Sequence, residues 1–272
     1  MNHIIHNIDP IIFSVGPLRV GWYGLMYVIS FVLGYIMVKR NFSKKDIKLK
    51  DEYYESFIFS IILGVMIGAR FGYVLFYGFT HYMANPLKIF YVWEGGMSFH
   101  GGLLGVIIAV LIFCKKTKQD FFTLADPAMP WVAIGVGFGR IGNFINGELF
   151  GKVSNLPWAM IFLRTDPEML PRHPSQLYEA IFEGFLMAAF LQFMLFKTNI
   201  KGLIFWLFIG IYGIVRYLIE FIRIPDNLPI YDNGLIFNMF TMGQVLSLLM
   251  VISAIIGISY AVKKHYNKND IS

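Results

Sequence analysis

The sequence predicts an all-α integral membrane protein, on three observations. The chain has 272 residues, of which 57% are apolar and only 15% are charged, whereas soluble globular domains average about 25% charged residues. Its mean hydropathy is +0.60, and a chain of this length cannot enclose so much apolar surface in a core surrounded by water. The apolar residues also gather into runs long enough to cross the hydrocarbon layer of a bilayer, which is about 30 Å thick.

Seven such runs predict seven transmembrane helices. In chain order they cover residues 20–38, 56–76, 101–114, 124–142, 179–196, 202–221 and 241–262. The third has only 14 unbroken apolar or glycine residues, so part of the preceding GGMSFH segment is needed to complete its crossing. The fourth contains Pro127, Pro130 and four glycines, residues that weaken a helix.

The distribution of basic residues predicts the orientation of these helices. Of the 23 Lys and Arg residues, 14 fall in connections 39–50, 115–120 and 197–201 and in the tail from 263, whereas 7 fall in the alternate connections. Because cytoplasmic loops carry the excess of Lys and Arg, the N-terminus is expected to be extracytoplasmic and the C-terminus cytoplasmic. The formal net charge of +6 is thereby explained by topology, so nucleic acid is not expected as a partner.

We expect one polytopic membrane domain over residues 1–272, with an extracytoplasmic polar segment around 140–178. No period of about 20 to 50 residues repeats. Residues 1–19 have no basic region and no small-residue cleavage site, so a cleaved signal peptide is not expected. The single cysteine, Cys114, excludes a disulfide framework, and Asp and Glu form no convincing metal cluster, so neither a metal nor a cofactor is expected.

The unusual polar residues fall at one side of the predicted bundle. His100 opens the third run, Arg140 closes the fourth, and the polar string GRIGNFINGELFG (139–151) follows it. RHPSQLYE (172–179) leads into the fifth run, and Arg216 lies in the outer third of the sixth. With the N-terminus outside, all of them face the extracytoplasmic leaflet.

Tyr212, Arg216 and Glu220 are spaced by four residues, which places them on one face of a helix. A guanidinium facing lipid tails costs at least about 2.5 to 3.5 kcal/mol, so this face should point into the bundle or a wet cavity. One interpretation is an internal Arg216–Glu220 ion pair that fixes helix packing. The other is an anion site, because Arg223 follows near the same face and leaves two cations for one carboxylate.

Residues 137–142, GFGRIG, form the pattern G-x-G-x-x-G. A dinucleotide site requires a preceding strand and a βαβ unit, which a span at membrane depth excludes. Two interpretations stay open: close helix packing by small residues, or approach of the backbone to a ligand with donors from Arg140, Asn143 and Asn146.

Three further positions allow a structural and a functional interpretation. His100 lies at the lip of its run, where a solvated or capping role competes with catalysis, although four nearby glycines suggest a bend or a ligand. Arg70 is an intramembrane cation, for which a functional role and pairing with a neighbouring helix are equally open. Glu179 begins the fifth helix, and capping of the helix N-terminus is its favoured interpretation.

Strings spread from the first to the seventh run resemble those of the prolipoprotein diacylglyceryl transferases of the bacterial cytoplasmic membrane. They are WYGLMY (22–27), GARFGYVLFY (68–77), WEGGMSFHGGL (93–103), GRIGNFINGELFG (139–151), RHPSQLYE (172–179), YGIVRYLIEFIRIPD (212–226) and MGQVLS (242–247). The long central string is very specific, and the topology counted above agrees with that family. The chain is shorter than some members between Phe162 and Arg172, which concerns a periplasmic arm and not the signature residues.

The resemblance implies transfer of the diacylglyceryl group from phosphatidylglycerol to the sulfhydryl of the lipobox cysteine in a prolipoprotein signal peptide, with release of glycerol 1-phosphate. It implies a multi-pass protein of the bacterial inner membrane whose partners are these two substrates and membrane lipid. Arg140 and Arg216 resemble the essential phosphate-handling pair. Other positions similar to the family site are His100, Asn143, Glu148, Gly151, Tyr23, Tyr212 and Glu220.

Elementary chemistry predicts how such a site would work. Cys114 lies beside Lys115 at the expected cytoplasmic end, so the attacking sulfur should come from the substrate, and Cys114 itself is interpreted as a small apolar filler. Arginine forks would stabilise the negative charge that develops on the departing phosphate. Histidine suits proton transfer near neutral pH, which makes His100 the candidate general base; Glu148 and Glu220 are expected to orient arginines.

A transporter is the main alternative class. It predicts polar residues in both leaflets and often a repeated architecture, and this chain shows neither pattern. A retinal-type receptor would require a lysine within the last run, and residues 241–262 contain none.

Overall fold

The computed structural model describes residues 3–16, 18–76, 78–91, 96–224, 235–236 and 239–269, and over these residues the chain is mostly helical. The helices are α1 (Trp22–Lys44), α2 (Asp51–Phe76), α3 (Phe79–Ala84), α4 (Phe99–Thr117), α5 (Phe121–Asn146), α6 (Ser175–Glu179), α7 (Leu186–Lys197), α8 (Leu203–Ile219) and α9 (Met242–Asn269). A π-helical segment, Ala180–Phe185, joins α6 to α7, so that the helix is continuous over Ser175–Lys197.

Short strands form three two-stranded ladders outside these helices. The strands are β1 (Ile4–His6), β2 (Ile11–Val15), β3 (Leu18–Gly21), β4 (Met160–Phe162), β5 (Leu235–Ile236) and β6 (Phe240–Thr241). Strand β1 pairs in parallel with β4, whereas β2 pairs antiparallel with β3 and β5 pairs antiparallel with β6.

Among the described residues, five helices are long and apolar enough to cross a membrane. They are Trp22–Lys44, Asp51–Leu75, Phe121–Asn146, Ser175–Lys197 and Met242–Asn267, and the apolar helix Leu203–Ile219 is shorter. Many large apolar side chains on the helices are exposed, as Ile108, Phe193 and Ile255 illustrate, and lipid tails solvate such surfaces. Each predicted run overlaps one helix, and the fold is that of an all-α membrane protein.

The chain divides into two compact units. One consists of Met1–Asn41 with Ala125–Ser272, and the other is Phe42–Leu124. The first unit contains most of α1 and all helices from α6 to α9, and the second contains α2, α3 and α4.

In the second unit, α2 and α4 approach closely because glycines face one another. A Cβ atom added to Gly64 would lie 2.7 Å from the carbonyl oxygen of Gly105, and one on Gly72 would lie 2.7 Å from Cα of Gly101. A Cβ atom added to Gly68 would also clash with the carbonyl oxygen of Gly101. Such small faces let helix backbones approach without a hydrophobic driving force between them.

Arg70 of α2 is buried and bonds to the backbone of the connection that precedes α4. Its Nε donates to the carbonyl of Ile89 at 2.7 Å, and its Nη2 donates to the carbonyl of Lys88 at 2.6 Å. Longer bonds run to the carbonyls of Tyr91, at 3.1 Å, and Gly96, at 3.2 Å. These bonds make Arg70 an anchor of that connection.

In the first unit, two of the three glycines of residues 137–142 pack against other elements. A Cβ on Gly137 would lie 3.2 Å from Cα of Gly184 in the π-helical segment, and one on Gly142 would lie 2.6 Å from the ring of Tyr23. These two positions serve helix packing. A Cβ on Gly139 would meet no atom within 4 Å.

Candidate active site

A set of charged side chains gathers at the C-terminal ends of α5, α6 and α8, all within the first unit. Arg140 lies near the C-terminal end of α5, and Glu179 is the last residue of α6. Arg216 lies in the last turn of α8. A buried apolar cluster that includes Ala133 of α5, Leu191 of α7 and Ile204 of α8 packs these helices together.

Glu179 lies at the centre of these charges. Its fully buried carboxylate contacts Nε of Arg140 at 2.7 Å, Nη1 of Arg216 at 3.9 Å and Nη1 of Arg223 at 3.1 Å. The capping interpretation of Glu179 is therefore wrong, because its side chain makes no cap hydrogen bond and contacts arginines instead. It is a shared counter-ion for three arginines.

The helix face that carries Tyr212, Arg216 and Glu220 contains the ion pair that one interpretation of the sequence expected. Nη2 of Arg216 lies 2.8 Å from Oε2 of Glu220, and the hydroxyl of Thr241 donates to Oε1 of Glu220 at 2.9 Å. Gly243 makes room for this carboxylate, since a Cβ there would lie 2.7 Å from its carboxyl carbon. The carboxylate of Glu220 thus leaves no room for a side chain at Gly243, the glycine of the MGQVLS string.

The cluster also includes Glu183, whose Oε2 lies 3.6 Å from Nη2 of Arg140. We define the arginine–glutamate cluster as Arg140, Arg216, Arg223, Glu179, Glu183 and Glu220. Its formal charges balance when all six groups are ionised. The expectation that Arg223 would be a surplus cation is therefore wrong. It counted only Glu220, whereas Arg223 pairs with Glu179 from another helix.

The predicted Tyr212 joins this cluster. It is hydrogen-bonded to Arg140, and its ring stacks on that of Phe208 with centroids 6.1 Å apart. Tyr212 therefore links the two arginine-bearing helices, α5 and α8.

Asn143 and Glu148 contact each other. Nδ2 of Asn143 donates to Oε1 of Glu148 at 2.8 Å, and Nδ2 of Asn146 donates to the same oxygen at 3.2 Å. Nε2 of Gln176 donates to the backbone carbonyl of Glu148 at 2.6 Å. The observed bonds of the Glu148 carboxylate run to amides, whereas the sequence predicted arginines.

Gly151 lies where two chain segments meet. Its N–H donates to the carbonyl of His173 at 2.8 Å, and it forms a bridge with Arg223. A Cβ at this position would lie 2.6 Å from the carbonyl oxygen of Ile222. Gly151 thus lets the segment that follows α8, with Arg223, reach Glu179.

Tyr23 and His100 complete the predicted set. The hydroxyl of Tyr23 lies 3.3 Å from that of Tyr27, and its ring covers Gly142. His100 is in the first turn of α4, and its side chain lies outside the described residues.

The polar segment between α5 and α6 is held by Arg172. Its Nε and Nη2 donate to the carboxylate of Asp166 at 2.5 and 3.0 Å, and Nη2 also contacts Glu168. These hydrogen bonds lower the pKa of the Asp166 carboxyl. The stabilisation is present above the ordinary pKa of a carboxyl and is lost as the pH falls through the lowered value.

Groups of three or more His, Cys, Asp or Glu able to hold a metal ion do not occur in the described part of the chain. The arginines of this site are donors suited to an anion with several oxygens, whereas its carboxylates are acceptors that neutralise them.

Comparison with known proteins identifies the family of this chain. A family model described as prolipoprotein diacylglyceryl transferase matches residues 10–260. The chain belongs to the prolipoprotein diacylglyceryl transferase family. Similar relatives bear the name phosphatidylglycerol–prolipoprotein diacylglyceryl transferase: those of Geobacter sulfurreducens (44% identity, 94% of this chain and 95% of the relative), Vibrio vulnificus (45%, 96% and 94%) and Bordetella bronchiseptica (47%, 90% and 92%).

For this member of the diacylglyceryl transferase family, sequence reasoning missed the part played by Glu179 and Glu183. Both are fully buried in the structure. A signal was available, because they are spaced by four residues on one helix face, as Arg216 and Glu220 are. The position of Glu179 near the start of a helix favoured capping, and only its contacts with arginines of other segments show otherwise.

Proposed function

We propose that this protein transfers the diacylglyceryl group of phosphatidylglycerol to the thiol of the lipobox cysteine of a prolipoprotein. The observation that carries the proposal is the meeting of Arg140 and Arg216, from helices far apart in sequence, on one buried carboxylate in a member of this family. Guanidinium forks are suited to the oxygens of a phosphate.

The proposed reaction is a displacement at the glyceryl carbon. A carbon–sulfur bond forms, the carbon–oxygen bond to phosphate breaks, and glycerol 1-phosphate leaves. The thiol proton must be removed, because an ordinary thiol has a pKa near 8.5 and is mostly protonated at neutral pH. The leaving phosphate gains negative charge as the bond breaks, so Arg140 and Arg216 would stabilise the transition state more than the starting diester.

The other predicted residues have supporting roles in this proposal. We assign Tyr212 and Glu220 to orienting the arginines, since both contact them. Asn143 and Glu148, with Gly151 and Tyr23, are assigned to shaping the substrate site beside the C-terminal end of α5. His100 is the proposed proton acceptor.

We further propose seven transmembrane helices with an extracytoplasmic N-terminus and a cytoplasmic C-terminus, in one membrane domain of the bacterial inner membrane. The excess of Lys and Arg in one set of connections supports this orientation. Because both substrates are amphiphiles, they would enter laterally from the bilayer.

The test is an assay of the purified protein in detergent with labelled phosphatidylglycerol and a lipobox peptide. The expected result is a mass gain of one diacylglyceryl group on the peptide cysteine, with release of glycerol 1-phosphate. A peptide carrying serine in place of that cysteine is the control and should gain no mass. If the cysteine peptide also stays unmodified, the proposal is contradicted.

A further inference from the structure

Glu183 occupies an unusual place in the arginine–glutamate cluster. It lies in the π-helical segment Ala180–Phe185, and its side chain is fully buried. Neither carboxylate oxygen has a hydrogen-bond partner among the described residues. Single π-helical turns within α-helices occur often at functional sites.

The three carboxylates of the cluster differ in how well their ionised forms are stabilised. Glu179 contacts three arginines, and Glu220 has Arg216 at 2.8 Å and the hydroxyl of Thr241 at 2.9 Å. Within the part of the chain that the structure describes, the ion pair of Glu183 is the one with Arg140, at 3.6 Å. Since a buried carboxylate is costly without hydrogen bonds, a proton entering the cluster binds there most readily.

The charged and titratable groups that interact with Glu183 come from several elements. Arg140 lies on α5, Tyr212 and Arg216 lie on α8, and Arg223 follows α8. On its own helix the neighbour is Glu179. With Glu220 included, three arginines oppose three carboxylates.

An incoming phosphate therefore brings negative charge to a cluster that is already balanced. Uncompensated charge is costly in a buried site of low dielectric. The charge balance is restored when one carboxylate takes up a proton, and the contacts above single out which one.

We propose that Glu183 takes up a proton when an anionic phosphate enters the arginine–glutamate cluster, so that phosphate binding is coupled to proton uptake. This inference rests on the proposed function, because it assumes that the cluster receives a phosphate. It assigns Glu183 a positioning role, since the proton frees Nη2 of Arg140 to bind phosphate oxygens while Nε stays paired with Glu179.

The experiment measures the dissociation constant of two phosphate sources as a function of pH. One arm uses phosphatidylcholine nanodiscs with added phosphatidylglycerol, and the other adds glycerol 1-phosphate to nanodiscs of phosphatidylcholine alone. Affinity should weaken with rising pH by up to about tenfold per pH unit, the limit for one coupled proton. Such a slope in the phosphatidylglycerol arm supports the coupling, because a phosphate diester does not titrate in this range. In the glycerol 1-phosphate arm the slope supports the coupling only when Glu183→Gln abolishes it, because a phosphate monoester itself titrates at about pH 6.

Glu183→Gln is the decisive variant, because the amide resembles the protonated carboxyl in shape and charge. It should bind at alkaline pH as tightly as the wild type binds at low pH, with no slope. Glu168→Gln is the matched control: its carboxylate is exposed and contacts Arg172 outside the cluster, and it should keep the wild-type slope.

Three outcomes would overturn the inference. A wild type with normal transfer activity and pH-independent binding removes the coupling and leaves the proposed function intact, and so does a Glu183→Gln variant that keeps the wild-type slope. Absence of binding in both arms at every pH, together with absence of transfer, removes the proposed function as well.

Discussion

At the scale of single residues, the carboxylate of Glu179 decides where three guanidinium groups lie. It is fully buried and shares its two oxygens among Arg140, Arg216 and Arg223. Removing one partner of a buried ion pair leaves an uncompensated charge and costs about 3 to 5 kcal/mol. The arginines are thus held in place before any substrate arrives, which reduces the cost of ordering them during the reaction.

Arg216 is the residue whose shape can be tested. Its guanidinium spans two carboxylates, with Nη2 at 2.8 Å from Glu220 and Nη1 at 3.9 Å from Glu179. Arg216→Lys keeps the charge but has no planar fork. We expect kcat/KM for transfer to fall by about 10- to 100-fold, equivalent to roughly 1.4 to 2.8 kcal/mol.

The control for this measurement is Arg164→Lys. Arg164 is a largely exposed arginine that pairs with Asp9 at 3.2 Å, and exposed pairs contribute little. This variant should transfer at close to the wild-type rate. Normal turnover in Arg216→Lys would show that a point charge suffices and would contradict the proposed role of the Arg216 fork in binding phosphate.

At the scale of elements, small faces let helices approach one another. Glycines of α2 face glycines of α4 in the second unit, and Gly137 faces Gly184 between α5 and the π-helical segment in the first. Glycine costs helix stability in isolation. Its frequency in these spans is explained by contacts that only the folded helices make.

This packing predicts opposite effects for two glycine substitutions. Gly68→Ala places a methyl group against the backbone of α4 at Gly101, and such overpacking costs about 1 to 3 kcal/mol. Gly34→Ala in α1 meets no atom within 4 Å and should gain helix propensity. In detergent, Gly68→Ala should therefore unfold at a lower temperature than the wild type. Gly34→Ala should unfold at a temperature equal to or higher than that of the wild type. Equal unfolding temperatures would contradict the close approach of α2 and α4.

At the scale of the whole molecule, the orientation in the membrane stays a prediction that labelling can test. Single cysteines are introduced at Asn155 and Lys201, both exposed, in a Cys114→Ala background. With an extracytoplasmic N-terminus, a membrane-impermeant thiol reagent should label Asn155→Cys in intact spheroplasts. It should label Lys201→Cys only after the membrane is opened, and the reverse pattern would invert the proposed topology.

Much of this protein could be predicted from the residues in order. Apolar runs marked the helices, because the period and length of such runs depend on local backbone geometry and on bilayer thickness. The polar strings likewise pointed to Arg140 and Arg216 before their contacts were known. The spacing of Tyr212, Arg216 and Glu220 predicted one helix face and allowed the Arg216–Glu220 pair as one of two interpretations, and the structure contains that pair.

What the order of residues could not reveal is which side chains meet across helices. Glu179 looked like a capping residue because it begins a helix, and Arg223 looked like a surplus cation because its partner lies 44 positions away. The glycines of residues 137–142 and the amides of Asn143 and Asn146 were similarly ambiguous until their partners were seen.

By itself, then, the sequence determined the membrane class, the helices and the residue types of the site, since these depend on local composition and periodicity. Only the tertiary structure decided the charge balance of the arginine–glutamate cluster and the exceptional position of Glu183. The reason is physical: the energy of a buried charge depends on distances to groups from other helices, and these distances exist only once the helices have packed.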